Sequence, residues 1–246
     1  MIYMRIFKCG NNQITKMLEQ ISSKDRGKLK GITTVGLGRY LDERKSPLFP
    51  LPCIFTAIRD PISHFLSGYN EIEYRFETEL NYTEEMMPPF GKLPRDTAEE
   101  RRIRFQTFVE ELLLGQYRTK KIVNWHVYSM SRILGPLQNH NATLTGYLPQ
   151  LTNLTSTMPV FLSDTCPNMY SVDKMAAKVE IAGQHDSSKD PLGTYEAAKD
   201  LWKEAGPIAR ALCLLHAFDY ACFPDLPDGI PPLCQSMYEK HAEEII

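Results

Sequence analysis

The sequence predicts an α/β fold with a central, mainly parallel sheet flanked by helices. Two segments share one design, in which a short apolar run leads into a polar loop and then into a helical pattern. The apolar runs are residues 2–7 and 53–58, and the loops that follow them are residues 8–12 and 59–61. Repeated strand–loop–helix units of this kind build parallel sheets, and ligands bind at the carboxyl edge of such sheets.

The helix after each loop is predicted from apolar spacing. Residues recur at helical intervals after the first loop, and Pro61 suits the first turn of a helix after the second. The apolar positions are Ile14, Met17, Leu18 and Ile21 in the first helix, and Phe65, Leu66, Tyr69 and Ile72 in the second.

The rest of the chain is predicted to complete one domain over residues 1–246. A helix should begin after Thr97 and end near Gly115, and residues 191–218 should form one or two helices that break near Gly206. Surface excursions are expected at 77–96 and 139–157, short strands at 159–162 and 179–182, and a Pro-rich tail over the surface at 224–246.

The composition does not favour a nucleic-acid partner. The formal net charge is −2 and the pI is near 6.3, whereas nucleic-acid binding usually needs a strongly basic surface. Basic residues cluster locally at 101–104 and at 118–121. Each cluster is either a solvated helix face or a contact for an anionic ligand.

Three features bear on the cellular compartment. No run approaches the roughly 20 apolar residues that span a bilayer. Three N-x-[ST] sequons, at Asn81, Asn141 and Asn153, hint at a secretory lumen, with a cytoplasmic location as the alternative. Six cysteines do not make a disulfide scaffold, but a bridge between Cys222 and Cys234 could close the Pro-rich loop between them.

The first loop suits an anion. Lys8 and Gly10 lie between a strand and a helix, so that an ammonium, backbone N–H groups and a helix dipole could surround one phosphate or sulfate. Taken alone, the same residues also fit an ordinary turn in which Gly10 supplies a positive φ. No Ser or Thr directly follows the lysine to hold Mg²⁺, which disfavours a nucleotide kinase or an ATP or GTP hydrolase.

The second loop offers another anion contact. Arg59 stands at the strand end and Ser67 lies eight residues further along, two helical turns into the next helix. A guanidinium and a hydroxyl could therefore converge on one phosphate. The alternatives are a salt bridge between Arg59 and a nearby carboxylate, and a helix packing contact at Ser67.

Together the two loops resemble the sulfotransferases that use 3′-phosphoadenosine 5′-phosphosulfate (PAPS). Residues 2–10 are similar to the family's 5′-phosphosulfate strand-loop, although Phe7 replaces its usual proline, and residues 54–69 are similar to its 3′-phosphate segment. Residues 124–126 and 215–223 resemble elements of the Golgi carbohydrate branch of the family.

The resemblance implies a P-loop-like three-layer fold and transfer of a sulfuryl group from PAPS to a hydroxyl of a carbohydrate acceptor, without a metal. It implies that Lys8 is catalytic, that the 3′-phosphate contacts Arg59 and Ser67, and that the product is adenosine 3′,5′-bisphosphate. The implied 5′-phosphate site comprises Lys8, Cys9, Gly10, Asn11, Asn12 and Gln13.

The catalytic base is the least determined residue. The acceptor hydroxyl needs a base within hydrogen-bond reach, and Asp42 or Glu43 is the candidate because residues 33–41 could deliver either one to the same edge. His64 and His126 are alternatives, with His64 expected on the exterior of its helix. The competing hypothesis for the whole chain is a non-catalytic descendant that binds a nucleotide or a glycan.

Overall fold

The computed structural model describes residues 2–6, 8–24, 30–32, 53–78, 89–115, 126–139, 142–149, 151, 153–167, 190 and 192–245. The chain divides into two compact units. The first comprises Met1–Arg59 and Met130–His185, and the second comprises Asp60–Ser129 and Asp186–Ile246. The expectation of one domain over residues 1–246 stays a prediction.

The first unit contains a small parallel sheet. Its described strands are β1 (Ile2–Met4), β2 (Lys30–Ile32), β3 (Ile54–Ala57) and β4 (Gly146–Leu148), in the spatial order β2-β1-β3-β4. All three pairings are parallel, and Met4 of β1 stands opposite Thr56 of β3. The prediction of an α/β chain with a parallel sheet is therefore confirmed.

Helices of the first unit cover one face of this sheet. The unit contains α1 (Asn11–Lys24), the short helices α4 (Met130–Leu134) and α5 (Pro136–Asn139), and α6 (Leu154–Thr165). Tyr3 and Phe55, which share one face of the sheet, lie in one buried cluster with apolar residues of α1 and α6. The opposite-facing positions Ile2, Met4 and Ile54 are also buried. Burial on both faces explains why β1 and β3 appear as continuous apolar runs in the sequence.

The second unit is helical in its described residues. It contains α2 (Pro61–Thr78), a 3₁₀ helix (Pro89–Lys92), α3 (Ala98–Leu113), α7 (Thr194–Lys203), α8 (Pro207–Cys222) and α9 (Pro232–Ile245). Thr97 begins α3 with a capping box, since its side chain accepts the Glu100 N–H while the Glu100 carboxylate accepts the Thr97 N–H. Five aromatic rings form its core with centroids 4.8–6.3 Å apart, namely Phe65, Tyr69, Phe90, Phe105 and Phe108.

Several local predictions were wrong. Residues 139–157, expected as a surface loop, contain β4 and the first turn of α6, and residues 159–162, expected as a strand, lie within α6. The expected tail at 224–246 contains α9. Within 77–96, Phe90 is fully buried, while residues 79–88 and the strand expected at 179–182 lie outside the described residues.

Two disulfides form, one inside each unit. Cys53 bonds Cys166 in the first unit, and Cys213 bonds Cys234 in the second. The suggested bridge between Cys222 and Cys234 is therefore wrong, since Cys222 is an exposed free cysteine. Disulfides persist in oxidising compartments, so the pairing hints at a secretory environment. Over the described ranges, the structure has no helix long and apolar enough to cross a membrane.

Candidate functional site

The candidate site lies at the carboxyl edge of the parallel sheet. Because β1 and β3 are parallel neighbours, the loops that follow them leave the sheet at the same edge. The Arg59 guanidinium donates through its NH1 group to the Lys8 carbonyl oxygen at 3.3 Å. The structure thus brings these two residues together as the sequence predicted, while their binding roles stay predictions.

The loop after β1 has an unusual backbone. Lys8 adopts φ +63° and Gly10 adopts φ +67°, both in the left-handed region. Glycine enters this region freely, but a lysine does so at a cost of about 1–2 kcal/mol. A side chain on Gly10 would also lie 3.3 Å from the Leu151 side chain. The loop therefore needs glycine at position 10 and holds a strained lysine at position 8.

The loop ends at the N-terminus of α1. The first backbone bond of the helix runs from the Ile14 N–H to the Gly10 carbonyl at 3.0 Å, so the N–H groups of residues 11–13 precede the helical ladder. The first turn of α1 contains no acidic residue. N–H groups and the positive end of the helix dipole make this turn suitable for an anion.

The side chain of Asn11 braces the loop. Its Oδ1 accepts the Tyr3 hydroxyl at 2.7 Å, and its Nδ2 donates to the Ile6 carbonyl oxygen at 2.7 Å. Burial raises the pKa of the Tyr3 hydroxyl well above its usual value, which keeps this group a donor. Asn11 was predicted as a ligand-binding residue, and the structure shows its amide engaged inside the protein. Its backbone N–H remains the relevant group for an anion.

The side chain of Cys9 packs inside the first unit. Its side chain is fully buried, and its Sγ lies 3.9 Å from the Sδ of Met130 in α4. The Cys9 N–H donates to the Ile6 carbonyl oxygen at 3.2 Å, which closes the turn before Gly10. Among the predicted 5′-phosphate residues, Cys9 therefore serves the turn and the core of the first unit.

Sequence reasoning missed Arg5. Its NH2 group donates to the Thr15 hydroxyl in α1 at 2.8 Å, which links the end of β1 to the second turn of the helix. Its Nε is buried and has no hydrogen-bond partner in the described part of the chain. The sequence did contain a sign of this role, because Arg5 interrupts the otherwise apolar run 2–7. A charged side chain in a buried run is costly unless it has a partner.

Ser67 lies in α2, within the second unit, and is half-buried. Its predicted convergence with Arg59 on one phosphate stays a prediction. The neighbouring position 68 requires glycine, because a Cβ there would lie 2.0 Å from the His126 carbonyl oxygen. The start of α2 is fixed by Asp60, whose carboxylate accepts the Ser63 N–H at 2.6 Å and the Tyr220 hydroxyl at 3.0 Å.

The structure does not describe the two favoured candidate bases. Asp42 and Glu43 lie outside the described residues. His64 was expected on the helix exterior, but it is fully buried, so that expectation is wrong. His126 is 4% exposed. Burial of both histidines makes neither one a ready base for an external hydroxyl.

The basic cluster at 101–104 is used inside the second unit. Arg101 donates to the carbonyl oxygens of residues 95 and 96, and Arg102 pairs with Glu204 at 2.8 Å. Arg104 is 1% exposed and pairs with the buried Glu73 at 2.7 Å. Arg104 therefore lies neither on a solvated helix face nor at a ligand contact, the two roles expected for this cluster. The second basic cluster, at 118–121, lies outside the described residues.

Comparison with family models, curated proteins and solved structures finds no match to this chain. Within the described ranges, no group of three or more His, Cys, Asp or Glu side chains is arranged to hold a metal ion.

Proposed function

We propose that this protein is a sulfotransferase with a P-loop-like three-layer fold, which transfers a sulfuryl group from PAPS to an acceptor hydroxyl. One observation carries the proposal: the Arg59 guanidinium reaches the backbone of Lys8 across two adjacent parallel strands. Two cationic residues at one sheet edge suit a donor that carries two separate phosphate groups.

The donor's 5′-phosphosulfate is assigned to the loop after β1. Its phosphate oxygens would accept the N–H groups of residues 11–13, which precede the first backbone bond of α1. Lys8 would place its ammonium beside the sulfuryl group. The strained backbone of Lys8 supports this role, because strain of this kind concentrates at functional sites.

The 3′-phosphate is assigned to Arg59, with Ser67 as its second contact. A guanidinium can offer two parallel N–H groups to one phosphate, which gives both energy and orientation. Distinguishing PAPS from a nucleotide without a 3′-phosphate would depend on these two residues.

The chemistry is an in-line displacement at sulfur. The acceptor oxygen forms a bond to sulfur while the bond from sulfur to the 5′-phosphate oxygen breaks, and adenosine 3′,5′-bisphosphate leaves. Lys8 stabilises the negative charge that develops on the bridging oxygen, and a base takes the proton of the hydroxyl. Asp42 and Glu43 remain the proposed bases. By analogy with phosphoryl transfer, positioning and electrostatics supply most of the rate.

The proposed acceptor is a carbohydrate, and the proposed compartment is the Golgi lumen. The two disulfides support a lumenal compartment, because such bonds persist where the environment is oxidising. The choice of a carbohydrate rests on the resemblance of residues 124–126 and 215–223 to the carbohydrate branch.

Titration calorimetry with adenosine 3′,5′-bisphosphate tests the donor site. Arg59→Ala should weaken binding by about 1.5–3 kcal/mol, the range for a lost hydrogen bond to a charged group, which is roughly a 10- to 150-fold rise in Kd. The matched control is Arg210→Ala, which removes an exposed arginine of α8 and should leave the Kd unchanged. Equal affinity of the Arg59 variant and the wild type would refute the assignment.

A radiolabelled sulfate-transfer assay against a panel of glycans tests catalysis. Lys8→Ala should mainly lower turnover, because the ammonium stabilises charge that develops in the transition state. An active Lys8→Ala enzyme would remove Lys8 from the mechanism. Tight binding of adenosine 3′,5′-bisphosphate without any transfer would favour the non-catalytic descendant instead.

A further inference from the structure

The sequon Asn153-Leu154-Thr155 lies at the start of α6 in the first unit. Asn153 and Thr155 are exposed, whereas Leu154 between them is 2% exposed and belongs to the core cluster of the sheet. Because Leu154 anchors this turn, the two residues that an N-glycosylation sequon requires are held at the surface.

Within the described residues, the hydrogen bonds at Asn153 are made by its backbone. Its backbone is left-handed, with φ +53° and ψ +37°, a conformation that asparagine tolerates better than most residues. It precedes α6 at the capping position, yet its side chain makes no capping hydrogen bond. The Asn153 carbonyl oxygen instead accepts from the backbone N–H and the hydroxyl of both Ser156 and Thr157. Modification of the Asn153 amide would therefore cost no capping bond.

We propose that Asn153 carries an N-linked glycan. The reaction joins the Asn153 Nδ2 to C1 of a sugar from a lipid-linked diphosphate oligosaccharide, with loss of one amide proton and departure of the lipid diphosphate. The two disulfides support exposure of the chain to the compartment where sequons are modified. Of the three sequons, this one alone lies wholly within the described residues. The proposal is independent of sulfotransferase activity.

Peptide mass spectrometry provides the test. The full chain, directed into the secretory pathway of a mammalian cell line by a fused signal peptide, is recovered from the medium or from the endoplasmic reticulum. It is then deglycosylated with an amidase in ¹⁸O water, which labels every asparagine that carried a glycan. The expected result is an ¹⁸O-labelled aspartate at position 153.

Variants locate the glycan by gel mobility. Asn153→Gln and Thr155→Val should each lose one glycan-sized mobility shift, whereas the matched control Thr155→Ser keeps a hydroxyl acceptor and should retain it. Recovery of the wild-type peptide with an unmodified Asn153 would overturn the proposal, whether or not Asn81 or Asn141 is occupied. The wild-type measurement decides the question even if a variant fails to fold.

Discussion

The buried ion pair of Glu73 and Arg104 should make a large contribution to the stability of the second unit. The Arg104 Nε and NH2 groups donate to the two Glu73 carboxylate oxygens at 3.0 and 2.7 Å, and the Tyr69 hydroxyl donates to Oε1 at 2.6 Å. Both charged side chains are at most 1% exposed. Arg104→Met would leave the Glu73 carboxylate buried without this cation.

Removal of one partner of a buried ion pair costs about 3–5 kcal/mol. Glu73 would keep its bond from Tyr69 and a weaker contact with Arg95 at 3.7 Å. The lower end of the range, about 3 kcal/mol, is therefore expected. In a chain of this size that loss lowers Tm by roughly 6–12 °C.

Urea unfolding followed by circular dichroism measures the loss, with Arg102→Met as the matched control. Arg102 pairs with Glu204 on the surface, and such pairs contribute little, so the control should change stability slightly or not at all. Adding Glu73→Gln to Arg104→Met should recover part of the loss, because the second change removes the unpaired charge. If Arg104→Met matches Arg102→Met, the pair does not stabilise this unit as reasoned.

Two further stability predictions follow from buried groups in the second unit. Burial raises the pKa of Glu111, whose Oε2 has no described hydrogen-bond partner. The folded state then binds more protons than the unfolded state, so this group's contribution to stability falls as the pH rises through the raised pKa. In thermal unfolding measured at several pH values, Glu111→Gln should raise Tm at neutral pH, and this gain should shrink toward about pH 4.5. Gly68→Ala should lower Tm despite alanine's higher helix propensity, because the new Cβ would meet the His126 backbone. Gly206→Ala meets nothing within 4 Å and should lower Tm much less, by no more than the loss of a favourable glycine at the N-cap of α8.

The sequence predicted the elements whose pattern is local and strong. The strands β1 and β3 are apolar runs bounded by loops, and α2 begins at a proline that suits its first turn. Prediction from the sequence failed where a short apolar run is compatible with both a strand and a helix. Residues 159–162 resemble a strand, yet they continue α6, because four apolar residues cannot by themselves distinguish a strand from a buried helix turn.

Helical geometry could have shown that Cys213 and Cys222 are not interchangeable as partners of Cys234. Cys213 and Cys222 are nine residues apart on α8, which places them on opposite faces of the helix. Cys213 is fully buried and bonds Cys234 in α9, whereas Cys222 faces solvent. Proximity in sequence to the Pro-rich loop favoured the wrong cysteine. The burial of each helix face, which the sequence alone left open, decides the pairing.

The candidate site was predictable in its position but not in its internal contacts. Parallel pairing of β1 and β3 follows from their shared design, and it brings Lys8 and Arg59 to one edge. The bracing role of Asn11 does not follow, because it depends on the Tyr3 hydroxyl approaching from the strand.

The conformation of Lys8 is the most informative departure from local preference at this edge. A glycine would relieve the left-handed backbone at position 8, yet the chain carries a long cationic side chain there. Residues that break a local rule in this way concentrate where function requires a particular side chain. Lys8→Gly should therefore fold about as well as the wild type, since relief of strain offsets the greater flexibility of the unfolded chain. A functional reason for the lysine predicts that only donor binding or turnover suffers, and this makes the loop after β1 the first place to look for chemistry.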